Sequence, residues 1–446
     1  MNKIIPVTQA LTRRSFLSHT SKTVAGAAAL SALPIERFAH AASPGDTLKI
    51  ALIGCGGRGS GAAQQALSTG ESVKLVAAVD IHQDRLTGAL KNLANQHKEK
   101  VQVPPDQQFL GFDGYKKAIA LADVVILATP PGFRPMQFEE AVKQGKHVFT
   151  EKPVCVDATG FRRFMAAAEE AKKKNLKVGV GLQRHHQKGY IETMNRLWDG
   201  GIGDIHTMRA YWNGNTPWVH PRAGLEKQYG RKLTEMEFQL RNWYYFNWLC
   251  GDHIVEQHIH NLDVINWLKG KYPTRAVGMG GRQVRTSKDF GEIFDHHAVE
   301  FEYDDGSRMF SQCRQQPGCW NSVSEHVQGT KGTCDIADFT IKAGTSSWKF
   351  KGKSKDPYQQ EHDDLFASIR SGNPINEGEY GALSTMTAIF GRMATYSGKE
   401  LLWKDAFASN LQLANLNFES FADEAPVKPR EDGTYAIPTP GITRVI

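Results

Sequence analysis

Several things are scarce in this 446-residue chain, and each scarcity removes a class of protein. No apolar run reaches the roughly 20 residues needed to cross a bilayer, so stable membrane insertion is not expected. The six cysteines, at positions 55, 155, 250, 313, 319 and 334, are scattered and do not have the spacing of a zinc framework. Cys313 and Cys319 are close enough in sequence to pair in an oxidising compartment, with buried free thiols as the alternative. Charge of one sign is also in short supply. Of the net +7, Lys3, Arg13, Arg14, Lys22 and Arg37 against Glu36 put +4 in the first 41 residues, leaving +3 for the remainder. That is too little for a nucleic-acid surface. No repeat with a period of roughly 20–50 residues and no low-complexity tract is present. What remains is an ordinary globular composition, 40% hydrophobic and 23% charged, long enough for two domains and a core that needs no covalent staple.

The N-terminus reads as an address rather than as structure. Arg13-Arg14 precedes Phe16-Leu17, an Ala-rich apolar run follows, and Ala39-His40-Ala41 has the A-x-A form of a cleavage site. Residues 1–41 therefore resemble a twin-arginine export signal, which places the mature protein in the periplasm or otherwise outside the cytoplasm.

The segment that follows carries a nucleotide-binding signature in its structural context. An aliphatic strand, "LKIALI", leads into Gly54-Cys55-Gly56-Gly57-Arg58-Gly59 and then an Ala-rich helix. The first glycine permits the tight turn, the second lets backbone approach a pyrophosphate, and the third lets helix and strand pack closely. The next strand, "VKLVAAVD", ends in Asp80, 26 positions after Gly54, where a ribose-binding carboxylate belongs. A carboxylate repels a 2′-phosphate, so Asp80 favours NAD, while nearby His82 and Arg85 leave NADP as the alternative. "ADVVILATPP" (122–131) and "KHVFTEKPV" (146–154) are further buried strands, with Thr129-Pro130 and Glu151-Lys152-Pro153 at their carboxyl ends. Ligands of open α/β sheets sit outside such ends. After an amphipathic helix, "KVGVGLQ" (177–183) makes a last strand, giving a Rossmann domain over residues 46–183. Residues 184–446 then form a second domain, in which "IHTMRAYWNG", "RAVGMGGRQV" and "HHAVEFEYDDGSRMFSQCRQ" alternate as half-buried strands do, and residues 378–397 read as a helix that packs back on the first domain.

The order of "GCGGRG", "ATPP", "TEKPV", "VGLQRHH", "HNLDVINWL" and "QGTKGT" resembles the Gfo/Idh/MocA oxidoreductases over nearly the whole chain after residue 45. The resemblance implies an α/β fold: an N-terminal Rossmann dinucleotide-binding domain and a C-terminal α/β domain with a large, mostly antiparallel open sheet. That sheet commonly joins copies of the chain into a homo-oligomer. It further implies a carbohydrate, polyol or sugar-derivative substrate. Arg134 stands where family members often carry a histidine after the Thr-Pro pair.

For the chemistry, Lys152 is the first candidate. An ammonium beside the nicotinamide can hydrogen-bond a substrate hydroxyl and favour its alkoxide, the part the resemblance assigns to the lysine of EKP. In "CGDHIVEQHIHNLD" (250–263), drawn as one helix, His253, Glu256 and His260 share a face and His258 points away. His253 and His260 lie roughly 10 Å apart along such a helix, too far to share one ion, so no metal is expected. Glu256 and His260 are four apart and can meet, as a general base and its orienting carboxylate do. The family usually has aspartate at this position. Arg184, His185, His253 and Asp263 are candidates for substrate contact, and the aromatic run "RNWYYFNWL" (241–249) offers either sugar-stacking rings or core.

Export adds a constraint. A periplasmic enzyme without free NAD(H) must regenerate its nucleotide in place, either on a second carbonyl substrate or by returning the hydride to the same substrate. The first route is an oxidoreductase. The second is an NAD-dependent glycoside hydrolase that oxidises, eliminates, hydrates and reduces. A non-catalytic sugar or nucleotide sensor on the same fold is the remaining alternative.

Overall fold

The computed structural model describes residues 46–446. The export-signal expectation for residues 1–41 falls outside them.

The first sheet has six strands: β1 (Leu48–Ile53), β2 (Val73–Asp80), β3 (Gln108–Leu110), β4 (Val124–Leu127), β5 (His147–Thr150) and β6 (Val178–Val180). They run in the order β3-β2-β1-β4-β5-β6, and every pair is parallel. Continuous apolar runs such as Leu-Lys-Ile-Ala-Leu-Ile and Val-Val-Ile-Leu suit strands covered on both faces by crossover helices. Register then does the positioning. Ile53 pairs with Leu127, Leu127 with Thr150, and Thr150 with Val180. The residues that follow them, Gly54, Ala128, Glu151 and Gly181, therefore lie side by side along one edge, where the strand order reverses.

The second sheet has nine strands: β7 (Ile205–Gly214), β8 (Arg275–Gly281), β9 (His296–Glu302), β10 (Arg308–Gln315), β11 (Ser322–Gly329), β12 (Gly332–Asp335), β13 (Thr340–Ala343), β14 (Ser346–Lys349) and β15 (Leu401–Leu402). Their order is β14-β13-β12-β11-β7-β10-β9-β8-β15, antiparallel except where β10 runs parallel to β7. Buried and exposed residues alternate along β9 and β10, so one face is covered and the other open. The covered face packs on the helices Ile259–Lys269 and Gly378–Ser397. The latter also packs on the helix Ala158–Lys173 of the Rossmann half. Its Gly381 lies so close to Val180 that an added Cβ would meet Cγ1 at 2.9 Å.

Two segments belong to neither sheet. Residues 215–250 hold the short helices Arg222–Tyr229 and Glu235–Arg241, and residues 409–446 run on without helix or strand. Together they build an apolar cluster of their own, including Phe238, Phe246, Trp248, Ala425 and Tyr435, set against Phe133 of the Rossmann half. All six cysteines are free, Cys319 exposed and the other five buried, so Cys313 and Cys319 are not paired.

Candidate active site

The glycine loop follows from local backbone demands. Gly54 has φ +93, and a Cβ there would come within 2.7 Å of the Ala128 carbonyl carbon; one on Gly59 would come within 1.9 Å of the Gly54 carbonyl oxygen. Only glycine satisfies both. Gly57, by contrast, has nothing within 4 Å of where a Cβ would be. The helix Gly57–Leu67 starts without a side-chain cap. Its first N–H groups face an open space, which suits a pyrophosphate.

Asp80 closes the other side of this loop. Its Oδ2 accepts the Cys55 N–H at 2.7 Å and its Oδ1 the His82 N–H at 2.8 Å, and burial raises its pKa. Each oxygen keeps acceptor capacity for a ribose hydroxyl. Gly54, Gly56, Gly57, Arg58 and Gly59 of the loop line one cavity of ≈ 670 Å³ with Asp80, Thr129, Pro130, Glu151 and Lys152, while Cys55 turns into the core, its Sγ donating to the Val79 carbonyl oxygen. Thr129 Oγ1 donates to Gln137 Oε1 at 2.6 Å, and Arg58 Nε donates to Glu151 Oε1 at 2.5 Å. Open glycines at a bare helix N-terminus, a carboxylate at the end of β2 and a cavity of this size fit NAD.

Lys152 projects across this cavity to the second domain. Its Nζ donates to the Glu256 carbonyl oxygen at 2.6 Å and approaches Glu256 Oε1 at 3.4 Å. Burial raises the Glu256 pKa against the opposing pull of Lys152 and Arg134. His260 stacks near-parallel on Trp212 of β7, with centroids 5.8 Å apart. Burial first, then Lys152 and Arg184, hold its pKa well below the ordinary imidazole value, so its ring is neutral at neutral pH. Glu256 Oε2 and His260 Nδ1 are both buried without a hydrogen-bond partner among the described residues. Glu256, His260 and Lys152 all line the cavity, which sets a carboxylate, a neutral imidazole and an ammonium around a polar ligand.

The single-helix drawing of residues 250–263 is corrected by the structure. Gly251 (φ 75) and Asp252 (φ 73) break the chain before the turn His253–Glu256, and a second break precedes Ile259–Lys269. Glu256 and His260 consequently lie in different helices; both line the cavity, but no hydrogen bond joins them. Glu256 is Lys152's partner instead.

Arg184, His185, His253 and Asp263 are not among the cavity-lining residues, because each is engaged elsewhere. Arg184 pairs with the fully buried Glu325. His185 Nε2 bonds Asp263 Oδ2 at 2.8 Å and lies between the rings of Trp267 and Tyr380, while Ser384 Oγ donates to Asp263 Oδ1. His258 bonds Ser311 Oγ at 2.8 Å. His253 belongs to a buried group with Asp252 and His297, whose ligand-type atoms lie within 4.8 Å of one another. Asp252 is satisfied there by four donors: the His253 N–H and Nδ1–H, the Phe294 N–H and the Tyr396 hydroxyl. An ion would have to displace donors already in place, and the cluster reads as a carboxylate cage.

The cavity also holds residues that sequence reasoning passed over. Trp212, Trp218, His220, Gln257 and Tyr358 line it, as do Trp243 and Tyr244 of the aromatic run, whose Tyr245, Phe246 and Trp248 are core. Alternation in β7 could have singled out Trp212; nothing local marks the others. Arg134 lines the cavity too, fully buried, donating through Nη1 to the Pro153 carbonyl oxygen. It sets a cation near Glu256 and Glu151, where a histidine was expected.

Comparison with known proteins agrees with this geometry. The model described as "Oxidoreductase family, NAD-binding Rossmann fold" matches residues 48–181, and "Oxidoreductase family, C-terminal alpha/beta domain" matches 199–382. Among relatives, an uncharacterized oxidoreductase of Streptococcus pneumoniae is 26% identical over 49% of this chain and 53% of its own length. The 2,7-anhydro-N-acetylneuraminate hydratase of Escherichia coli is 27% identical over 58% of this chain and 62% of its own. The chain thus spans under two thirds of these two relatives. An inositol 2-dehydrogenase of Gluconacetobacter diazotrophicus is 25% identical over 81% of this chain and 99% of its own. In fold the chain is similar to the aldose-aldose oxidoreductase of Caulobacter crescentus (TM-score 0.63, 19% identity, 80% of this chain, 100% of that one). It is also similar to the scyllo-inositol dehydrogenase of Lactobacillus casei with bound NAD(H) and scyllo-inositol (TM-score 0.58, 22% identity, 80% and 100%).

Proposed function

The chain belongs to the Gfo/Idh/MocA oxidoreductase family, and from that premise we propose that it transfers hydride at a carbinol carbon of a sugar, polyol or sugar derivative, using NAD, with NADP as the alternative. The observation that carries the reading is convergence: the glycine loop, Asp80, Lys152, Glu256 and His260 border one cavity. Bound NAD supplies the hydride acceptor. The chain's own groups handle the proton. Lys152, held by the Glu256 carbonyl and carboxylate, donates a hydrogen bond to the substrate hydroxyl and favours its alkoxide. Neutral His260 accepts the hydroxyl proton at a ring nitrogen. The indole and phenol faces of Trp212, Trp218, Trp243 and Tyr244 supply apolar surface for a ring's C–H face, which supports a cyclic polyol or pyranose. The inositol 2-dehydrogenase relative supports the same class.

A redox-neutral course is the second reading, favoured by the relative that is a hydratase of an anhydro-sugar. Oxidation of a ring hydroxyl acidifies the neighbouring C–H, a leaving group departs, water adds and the hydride returns. The twin-arginine pattern at Arg13-Arg14 supports export and, with it, a nucleotide that stays bound and is recycled. The open face of the second sheet bears Met279 (76% exposed) and Phe310 (40%), which supports a homo-oligomer formed across it.

Denaturing the purified protein and assaying the supernatant for NAD(H) and NADP(H) tests the cofactor. A panel of polyols, sugars and aryl glycosides then separates the courses. Net change in reduced-nicotinamide absorbance without aglycone release marks the oxidoreductase; nucleotide-dependent aglycone release marks the redox-neutral enzyme. Full activity in Lys152→Ala or His260→Ala protein would sink the site assignment.

A further inference from the structure

We propose that residues 215–250 and the C-terminal tail 409–446 form one cap that holds the adenosine half of the nucleotide in the cavity from turnover to turnover. This rests on the reading of the cavity as an NAD site and adds to it the part of the chain responsible for retention.

The cap touches the cavity at the end marked by Asp80. His82, Phe112 and Phe133 line that end from the Rossmann side, and His220, near Arg85 and Arg241, and Leu240 line it from the 215–250 segment. The tail sits directly behind them. Phe421 stacks on His82 with centroids 5.3 Å apart and planes 12° apart, and meets Phe112 edge-on at 5.8 Å. Phe418 contacts Phe112 at 5.9 Å, Phe133 at 6.5 Å and Trp248 at 5.6 Å. Two rings of the tail thus back the wall of the nucleotide cavity and also pack on the core of the 215–250 segment.

Polar ties lock the parts together. Arg241 at the end of the helix Glu235–Arg241 makes a two-pronged bond to Asp84, four residues past Asp80, at 2.8 and 2.9 Å. Tyr435 donates to Glu235 Oε1 and Gln239 Nε2 to the Val427 carbonyl oxygen, both at 2.5 Å. Leu413 N–H donates to Asp157 Oδ2, the cap of the helix Ala158–Lys173. The tail lies beyond residue 382, the last matched by the family description. For the adenosine half to leave, the half-buried rings of Phe418 and Phe421 must part from His82, Phe112 and Phe133, which slows release more than it slows hydride transfer. Phe418 and Phe421 do not line the cavity; they are positioning residues acting through His82 and Phe112.

The test measures exchange of bound radiolabelled NAD against excess unlabelled NAD in the full chain. Wild-type protein should exchange more slowly than it turns over. Phe421→Ala and, separately, Asp84→Asn should each speed release, by about tenfold for Phe421→Ala, which loses two ring contacts. Phe421→Trp should restore slow release, and melting of the nucleotide-free proteins should not follow the release rates. Asp84 is half-exposed, so its variant keeps the test open if Phe421→Ala fails to fold. Wild-type release rates in both Ala and Asn variants would overturn the cap while leaving the NAD site standing. Wild-type exchange faster than turnover would overturn retention. Failure of wild-type protein to bind NAD(H) or NADP(H) at all would overturn the reading beneath it.

Discussion

Lys152 has three N–H bonds, and the protein supplies acceptors for two of them, both on Glu256. The third is left for the ligand. Lys152→Met should therefore lower kcat/KM by about a hundredfold to ten-thousandfold, measured as initial rates on the best polyol. The same reasoning sets a pH dependence. His260 has a pKa depressed well below the ordinary 6.5 by burial and by Lys152, so it stays neutral and able to accept a proton through that value. The acid limb of kcat/KM should lie below pH 6.5 and disappear in His260→Gln; a limb centred at 6.5 or above would contradict the assignment. At this scale the sequence was readable where chemistry follows backbone motif: Gly54, Asp80 and Lys152 sit at or just past strand ends, and Gly59 in the first turn of the helix that follows Gly54. It was misleading for Arg184 and His185, which adjoin the motif but find their partners 141 and 78 residues away, at Glu325 and Asp263. No spacing rule reaches that far.

At the scale of elements, the informative failure is residues 250–263. Helical periodicity assumes continuous αR backbone, and Gly251 and Asp252 at positive φ interrupt it. Asp252 tolerates the left-handed conformation because its carboxylate is held by four donors and lies beside His297. Burial alone would raise its pKa, yet His297 and His253 hold it well below the usual carboxylate range. Asp252→Asn should cost about 3 kcal/mol of stability in urea unfolding, because an amide presents donors to donors and leaves a buried network unpaired. The glycine loop allows a complementary test. Gly59→Ala must move the Gly54 carbonyl, which a new Cβ would meet at 1.9 Å, so nucleotide content should fall sharply even in folded protein. The strands of both sheets were legible because burial on two faces or on one leaves different patterns. The helices of 215–250 and the tail were not, since short irregular segments take their shape from what they cover.

For the whole molecule, two consequences follow from where charge and apolar surface end up. His82, His147, His253, His258 and His362 are buried with pKa values lowered to between about 3 and about 4, burial being the first cause in each. A depressed histidine contributes stability that is full above its unfolded pKa near 6.5 and is lost as pH falls toward the folded value. Burial alone would lower His186 too, but Asp364 and Glu377 raise it to about 10; its contribution is full below 6.5 and is lost as pH climbs through 10. Thermal melting should therefore decline steadily from pH 6.5 to 4, and a flat profile there would count against neutral burial of these rings. The second consequence concerns the open sheet face. Met279→Lys with Phe310→Lys should shift the protein to a smaller species in light scattering if copies join across it.

The sequence alone determined what depends on neighbours a few residues apart. It specified a strand, a loop that only glycine can form and an uncapped helix start, and it specified the alternation that makes one sheet two-sided and the other covered. Cofactor class and the lysine followed from those. Tertiary structure decided which buried acid each base meets, because a buried charge takes whichever partner the fold brings within 3 Å, however distant in the chain. It also decided that Glu256 serves Lys152, that His253 belongs to a carboxylate cage, and that a tail without helix or strand closes over the nucleotide end of the cavity. Each of these is a contact between segments that share no local pattern, and desolvation within the packed core makes such contacts strong.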